Sequence, residues 1–309
     1  RPDSRVFADP VWPGQIAQDG LLDEGYHRAR QWIAPAADPN AHETVKYRSL
    51  TQAAKALDAT PVAPPVAVSF EDRVNAAGLS QPACTRCGDC CGGCNVGAKN
   101  TVALTYLPDA ARHGAELFTG TKVSYLSKGP RSVWQVHLEG ASSGKGKGAA
   151  PHQVISATKV VLAAGTLGSS EILLRSRARG LAVSDRLGHR FSANGDIIAF
   201  GYGANIPVNA IGVGHPIKEG LSPTGAAVSG QLEFDGADDL TQQLCIQEGV
   251  LPSSLAPILP VMFVPNGRLV GALKSLISGV YKGPLASLQT FFAVSHDSAS
   301  GRFVLDADD

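Results

Sequence analysis

The sequence has no apolar run of about 18 residues, so it predicts no membrane-spanning helix. Charged residues are also few, at 17% of the 309 residues. The 27 basic and 27 acidic residues cancel, and no basic run is interleaved with aromatic residues. The sequence therefore gives no support for a nucleic-acid partner.

A starting methionine is absent, and the N-terminal residues Arg1 to Arg5 do not form a signal or transit peptide. The last residues, Asp306 to Asp309, do not complete a recognisable helix or strand. We therefore expect the chain to be part of a longer protein.

Glycine and proline are plentiful, with 34 and 20 residues respectively. This composition is typical of a loop-rich α/β or α+β enzyme, and the length allows one large domain or two smaller ones. Apolar spacing predicts helices at 23–33 and 44–57. The continuous apolar run Lys159 to Ala164 predicts a strand buried on both faces. The sequence therefore favours short helices and loops before the cysteine-rich segment, and alternating strands and helices after it.

Five of the six cysteines lie within the segment 84–100. Cys84, Cys87, Cys90 and Cys94 have the spacing C-x2-C-x2-C-x3-C, which can bind an iron–sulfur cluster. Four thiolates could also bind zinc, and a compact loop with free or disulfide-linked cysteines is a third interpretation. Asn95 stands where the ferredoxin pattern has proline. The spacing thus permits a metal site without requiring one.

A glycine turn, Gly165-Thr166-Leu167-Gly168, follows the predicted strand 159–164 and precedes a predicted helix. The first N–H groups of a helix can bind a phosphate or a ring at such a junction. A tight turn without a ligand is an equally good interpretation.

Three blocks in order resemble the glucose-methanol-choline (GMC) flavin oxidoreductases, in their cholesterol-oxidase-like branch. The blocks are ACTRCGDCCGGCNVGAKNTVALTYLPDAARHGAELFT, VVLAAGTLGSSEILLRSRARG and FSANGD. The resemblance implies a Rossmann-like FAD domain, assigned to 1–190, and an antiparallel-sheet substrate domain, assigned to 191–309. It also implies FAD as cofactor, a hydrophobic alcohol such as a sterol as substrate, and O2 or a redox partner as electron acceptor.

The same resemblance assigns individual residues. It implies cofactor contacts for Val123 on a strand, for the turn residues Gly165, Thr166 and Gly168, and for Asn194, Gly195 and Asp196 at the entry to the substrate domain.

Near Glu248 the family places a glutamate base in the steroid pocket, although a register shift of one residue would put Gln247 there. A buried glutamate can act as a base because burial raises its pKa, but a paired carboxylate is the other interpretation.

Two family features are missing: the family's opening GxGxxG and its C-terminal catalytic histidine and asparagine. We therefore expect this chain to be the central portion of such an enzyme, inactive and weak in FAD binding by itself. An iron–sulfur electron-transfer module beside a flavin domain, and a non-catalytic fragment, are the alternatives.

The apolar stretch Val250 to Tyr281 is consistent with a lid or membrane-touching surface over a sterol pocket, or with ordinary core. Clustered thiols in a chain of this length favour a metal site or a reducing compartment over a disulfide scaffold. We expect a cytoplasmic or peripherally membrane-associated location.

Overall fold

A computed structural model describes residues 4–10, 12–15, 20–139, 153–262 and 279–306. The chain divides into two compact units. The first contains Arg1–Ala115 and Asn194–His296, and the second contains Glu116–Ala193 and Asp297–Asp309. The predicted boundary at 190/191 lies close to the point where the chain returns to the first unit. The assignment of 1–190 and 191–309 to FAD and substrate domains stays a prediction.

Two helices of the first unit confirm the predictions from apolar spacing: α1 Leu21–Ile33 and α2 Val45–Ala54. A short helix, α3 Tyr106–Arg112, follows the cysteine segment. The hydroxyl oxygen of Thr44 accepts a hydrogen bond from the Tyr47 N–H at 3.3 Å and so caps α2. Lys46, Leu50 and Ala54 recur every four residues and form the buried stripe of α2.

The first unit also contains a four-stranded antiparallel sheet. From one edge to the other its strands are β7 Ile197–Gly201, β10 Gln289–Ser295, β9 Leu244–Gly249 and β8 Gln231–Phe234. A short hairpin, β1 Arg73–Val74 and β2 Ser80–Gln81, precedes the cysteine segment. The antiparallel sheet agrees with the predicted mixed helix and sheet architecture.

One face of the four-stranded sheet packs against α2. Leu50 and Ala54 form a core cluster with Leu232 of β8, and partly buried side chains complete it: Ala59, Phe234, Ile246 and Phe291. Because side chains alternate along a strand, the neighbours of these residues point to the opposite face. At one end that second face is covered, because Phe200 of β7 packs against a core cluster of Ile211, Leu259, Val280, Leu285 and Leu288. We call the remaining part, which carries Gln231, Gln247 and Phe292, the open face.

The second unit contains a three-stranded antiparallel sheet in the order β3-β4-β5, packed against the helix α4 Gly165–Ala178. Its strands are β3 Val123–Lys128, β4 Trp134–Leu138 and β5 Gln153–Ala157. The Ser176 hydroxyl accepts a hydrogen bond from the Leu126 N–H at 2.8 Å and ties helix to sheet. A separate pair, β6 His189–Phe191 and β11 Gly301–Arg302, completes the described strands of this unit.

The predicted strand Lys159 to Ala164 is wrong. Residues 159–164 form no strand, and Val161 is 87% exposed. A strand buried on both faces needs a hydrogen-bonded neighbour, and no described segment pairs with this run.

The apolar stretch Val250 to Tyr281 is only partly described by the structure. Residues 263–278 lie outside the described residues, so the lid prediction is untested. The helix α5 Leu259–Met262 begins within the stretch, and Val261 and Met262 are exposed. Among the helices that the structure describes, none combines the length and apolarity needed to cross a membrane.

Candidate functional site

Glu248 lies near the C-terminal end of β9 and points toward α2, with no exposed surface. Its two carboxylate oxygens are each 2.6 Å from Nζ of Lys46. One oxygen also accepts hydrogen bonds from the N–H groups of Ser229, at 2.6 Å, and Gly230, at 2.8 Å. Lys46 Nζ donates to the Ser229 hydroxyl at 2.8 Å. The carboxylate is therefore fully engaged by donors of this chain.

Burial dominates the electrostatics of this pair. It raises the pKa of Glu248, while the nearby Lys46 ammonium and the hydrogen bonds act in the opposite direction. Burial likewise lowers the pKa of Lys46, against the attraction of Glu248. The arrangement is the paired carboxylate that the sequence left open as an alternative. Whether Glu248 also acts as a base stays a prediction.

Gln247 points to the open face, away from Lys46. It pairs with Gln231 of β8 and with Phe292 of β10. Its side-chain N–H donates to the Gln231 amide oxygen at 3.0 Å, and the Gln231 side-chain N–H donates to a carboxylate oxygen of Glu233. The two residues that could match the family's glutamate base therefore lie in different environments. Glu248 is buried beside a lysine, and Gln247 lies in a polar row on the open face.

The cysteine segment is held to several parts of the first unit. Arg86 forms an ion pair with the buried Asp38 at 2.8 Å, and this carboxylate raises the pKa of Arg86. Asp89 accepts hydrogen bonds from the N–H and hydroxyl of Ser253, at 2.6 and 2.7 Å. The Lys99 ammonium donates to the Cys90 carbonyl oxygen at 3.0 Å. The loop is thus rigidly anchored.

The prediction that Cys84, Cys87, Cys90 and Cys94 bind a metal or an iron–sulfur cluster is not supported. All six cysteines are free, and no three His, Cys, Asp or Glu side chains of the described chain are grouped to hold a metal ion. Burial raises the pKa of Cys84 to about 11 and also raises that of Cys90. Burial therefore disfavours the thiolate at Cys84 and Cys90, whereas Cys91 is exposed.

The turn predicted to touch the cofactor forms the N-terminus of α4. Gly165 is its first residue and has φ of 75°. A Cβ on Gly165 would have no neighbour within 4 Å, so the turn is open. Thr166 and Gly168 lie in the same first turn. Val123 begins β3 of the same unit and is half-buried. These predicted contacts therefore belong to one unit.

The segment Asn194 to Asp196 lies in the first unit, immediately before β7. Asn194 has φ of 65°, and its side-chain N–H donates to the Asp196 carboxylate at 3.2 Å. Gly195 has φ of 59° and lies so close to the Ser295 carbonyl that a Cβ would overlap it. Glycine is therefore required here by both backbone conformation and space.

The residues of α4 fit part of an FAD molecule. A helix N-terminus presents unpaired N–H groups, which suit a phosphate or a carbonyl oxygen, and Gly165 leaves room for a close approach. Gly165, Thr166 and Gly168 would hold one edge of the cofactor. Their role, like those of Val123 and of Asn194 to Asp196, stays a prediction.

A separate cavity of about 250 Å³ opens in the first unit. It is lined by Val45, Pro207, Asn209, Ala210, Ile211, Gly220, Leu221, Ser222, Val280, Tyr281 and Ala286. The Tyr281 hydroxyl donates to the Gly212 carbonyl oxygen at 2.7 Å. None of the residues assigned to catalysis or cofactor binding lines this cavity.

Sequence reasoning missed Lys46 and the polar row of the open face. Lys46 occupies a core position of α2, four residues before Leu50. That helical spacing was the one sequence feature that indicated burial of Lys46. Gln231 and Glu233 alternate with the buried Leu232, which is the pattern of a strand with one open face.

A family model described as GMC oxidoreductase matches residues 72–193 of this chain. This segment contains five of the six cysteines, the strands β1 to β6 and the helices α3 and α4. The resemblance to the GMC oxidoreductases is therefore confirmed. The N-terminal domain of that family is a Rossmann-like FAD-binding fold, and the family binds FAD.

Curated relatives extend the similarity beyond the family model. A cholesterol oxidase of Mycobacterium tuberculosis is 25% identical over 292 residues, which cover 90% of this chain and 45% of that protein. A cholesterol oxidase of Acinetobacter baumannii is 33% identical over 131 residues, covering 40% of this chain and 23% of that protein. The chain thus spans less than half the length of the curated relatives it matches.

Proposed function

We propose that this chain is part of an FAD-dependent oxidoreductase that oxidises a hydrophobic, sterol-like alcohol. The observation that carries the proposal is the alignment of 90% of the chain with a cholesterol oxidase, which includes the segment that matches the GMC family. At 25% identity the alignment supports a flavin oxidoreductase more strongly than it supports a particular substrate.

The open turn at Gly165 supports FAD as the cofactor, because it exposes the N-terminus of α4 to a ligand. Bound FAD would supply the acceptor for the hydride of the alcohol. The electron acceptor that follows is O2 or a protein redox partner. Iron–sulfur chemistry is no part of the proposal.

Oxidation of an alcohol also requires a group that takes the hydroxyl proton. Glu248 is the predicted base, and its raised pKa favours proton uptake. Its two oxygens are engaged by Lys46, however, so the Lys46 contact would have to open before Glu248 could accept a proton. The paired arrangement therefore supports a structural role for Glu248 more directly than a catalytic one.

The proposal is tested by anaerobic titration of the purified, FAD-loaded full-length protein with cholesterol, with glucose as a hydrophilic control. Bleaching of the flavin absorption by cholesterol but not by glucose is the expected result. Bleaching by glucose alone would contradict the substrate class. A protein that takes up FAD but is reduced by no alcohol would contradict the reaction.

A further inference from the structure

A shallow groove of about 590 Å³ runs along the side of α2 that is opposite to its buried stripe. One short part of the chain forms its walls: His42, Tyr47, Arg48, Thr51, Gln52 and Lys55. Arg48, Gln52 and Lys55 are separated by four and three residues, so their side chains lie in one row on the helix surface. None of the residues assigned to catalysis or cofactor binding lines this groove. We call it the α2 groove.

The α2 groove carries positive charge that the described part of the chain does not neutralise. Arg48 and Lys55 are exposed, and no carboxylate of the described residues forms an ion pair with either side chain. Glu43, the acidic residue next to His42 in the sequence, interacts with Arg86 of the cysteine segment. The whole sequence has as many acidic as basic residues, 27 of each, so this positive charge is a local feature. An anion bound in the groove would supply the missing counter-charge.

Hydrogen bonds inside the protein determine which groups of the groove are left for a ligand. The Tyr47 hydroxyl donates to the Pro61 carbonyl oxygen at 2.9 Å, and the Thr51 hydroxyl donates to the Tyr47 carbonyl oxygen at 3.0 Å. Both hydroxyl protons are therefore used within the protein. The two cations and the Gln52 amide between them still have N–H groups to donate, and the cations cannot accept hydrogen bonds. The groove thus presents a row of donors, which suits a ligand made of acceptors.

The two cations are spaced for a ligand with more than one charged group. Arg48 and Lys55 are seven residues apart, which places their Cα atoms about 10 Å apart along the helix axis. Like charges repel, so the two side chains are most stable when they extend away from each other. A chain of phosphate groups reaches both cations and passes Gln52 between them. The guanidinium can bind two phosphate oxygens at once, and the ammonium supplies a compact charge for a second phosphate.

We propose that the α2 groove binds an extended polyphosphate, with phosphate groups on Arg48 and Lys55 and an oxygen that accepts a hydrogen bond from the Gln52 amide. A free polyphosphate chain and the triphosphate group of a nucleotide present the same charged oxygens, so both belong to this ligand class. The site goes beyond the proposed oxidation of an alcohol and does not depend on it.

Calorimetric titration of the FAD-loaded full-length protein with sodium tripolyphosphate tests the proposal, with inorganic phosphate as the short probe. Tripolyphosphate should bind about tenfold more tightly than phosphate, because it contacts both cations. Arg48→Gln and Lys55→Gln should each weaken tripolyphosphate binding about tenfold, since each removes one charge-assisted contact.

A titration with ATP distinguishes the two sources of the phosphate chain. Equal affinities for ATP and tripolyphosphate would support the site and show that the phosphate chain alone is recognised. Tighter binding of ATP, weakened by the same two substitutions, would support the site and show that the nucleoside is recognised as well.

Arg28→Gln is the matched control. Arg28 is also an exposed arginine on a helix, but its guanidinium is paired with Glu24. This variant should bind tripolyphosphate as tightly as the unmodified protein does. A second measurement needs no variant: tripolyphosphate should slow the acetylation of Lys55 by an N-hydroxysuccinimide ester severalfold and leave that of the exposed Lys218 unchanged. Mass spectrometry of the digested protein measures both rates.

The proposal is overturned if tripolyphosphate binds no more tightly than phosphate. It is also overturned if Arg28→Gln weakens binding as much as Arg48→Gln does, because the attraction would then be general rather than a property of the groove. Acetylation of Lys55 at an unchanged rate in the presence of tripolyphosphate would contradict it as well. None of these results bears on whether an alcohol reduces the flavin, so the site and the proposed function are tested separately.

Discussion

The ammonium of Lys46 and the carboxylate of Glu248 face each other at 2.6 Å with neither side chain exposed to solvent. The pair joins α2 to β9, and the N–H groups of Ser229 and Gly230 complete the shell of the carboxylate. Such a pair is sensitive to loss of one partner, because the remaining charge is left buried.

Replacing Lys46 with methionine should therefore lower the free energy of unfolding by about 3–5 kcal/mol. Glu248→Gln should have a comparable effect, since it leaves the Lys46 ammonium without its counter-charge. The double variant Lys46→Met, Glu248→Leu should recover most of the loss, because both charges leave the core together. Urea unfolding of Lys46→Met, Glu248→Leu, the double variant and the unmodified protein gives the coupling, and Glu248→Gln is measured beside them.

The exposed pair Arg28 and Glu24 of α1 provides the control for this series. Arg28→Met should change the free energy of unfolding by less than about 1 kcal/mol, as is usual for surface ion pairs. If Glu248→Gln abolished turnover while leaving the free energy of unfolding unchanged, Glu248 would be a base and the structural role would be wrong.

The cysteines should differ in reactivity, because alkylation requires the thiolate. Cys91 is exposed and should react first with iodoacetamide at neutral pH. Cys84 has a pKa of about 11, so its rate should rise with pH up to about that value. Mass spectrometry of partly alkylated protein measures both rates. Faster labelling of Cys84 than of Cys91 at neutral pH would show that the segment is not folded as described.

The same shift has a consequence for stability. The folded-state pKa of Cys84, about 11, lies above its ordinary value of 9.0. Between these values the unfolded chain releases the thiol proton and the folded chain retains it, so stability from this group decreases as pH rises through the interval. Cys84→Ala should reduce that part of the pH dependence of urea unfolding.

Two glycines make a matched pair of substitutions. A Cβ at Gly249 would overlap the Phe292 ring, so Gly249→Ala should displace that ring and cost about 1–3 kcal/mol. Gly25 lies inside α1 with no neighbour within 4 Å of a Cβ, so Gly25→Ala should stabilise by about 0.5–1 kcal/mol. Thermal unfolding compares them, and equal effects of both substitutions would contradict the packing of Phe292 over Gly249.

Local patterns predicted the helices well, because apolar spacing and capping act within one turn. The sequence placed α2 between residues 44 and 57, and the structure confirms it with Thr44 as cap. The same local reasoning did not reveal Lys46 as a core residue. Its partner Glu248 is 202 positions away, and no pattern within a helix indicates a contact of that range.

The run Lys159 to Ala164 was predicted as a strand from its local apolar pattern, and that prediction failed. An apolar segment becomes a buried strand only if neighbouring strands pair with it, and none of the described segments does. The turn that follows was nevertheless predicted at the correct place, because Gly165 and the helix after it depend on local backbone preferences. Cysteine spacing likewise indicated that four thiols could bind a metal or an iron–sulfur cluster. It did not indicate whether the folded chain brings those thiols together around one point.

The central claim, oxidation of a hydrophobic alcohol by hydride transfer, is tested most directly with cholesterol carrying deuterium at the carbinol carbon. Mixed anaerobically with the purified, FAD-loaded full-length protein, it should reduce the flavin more slowly than ordinary cholesterol does, and the ketone should form in equal amount. Flavin that stays oxidised, or is reduced without formation of ketone, would contradict the account.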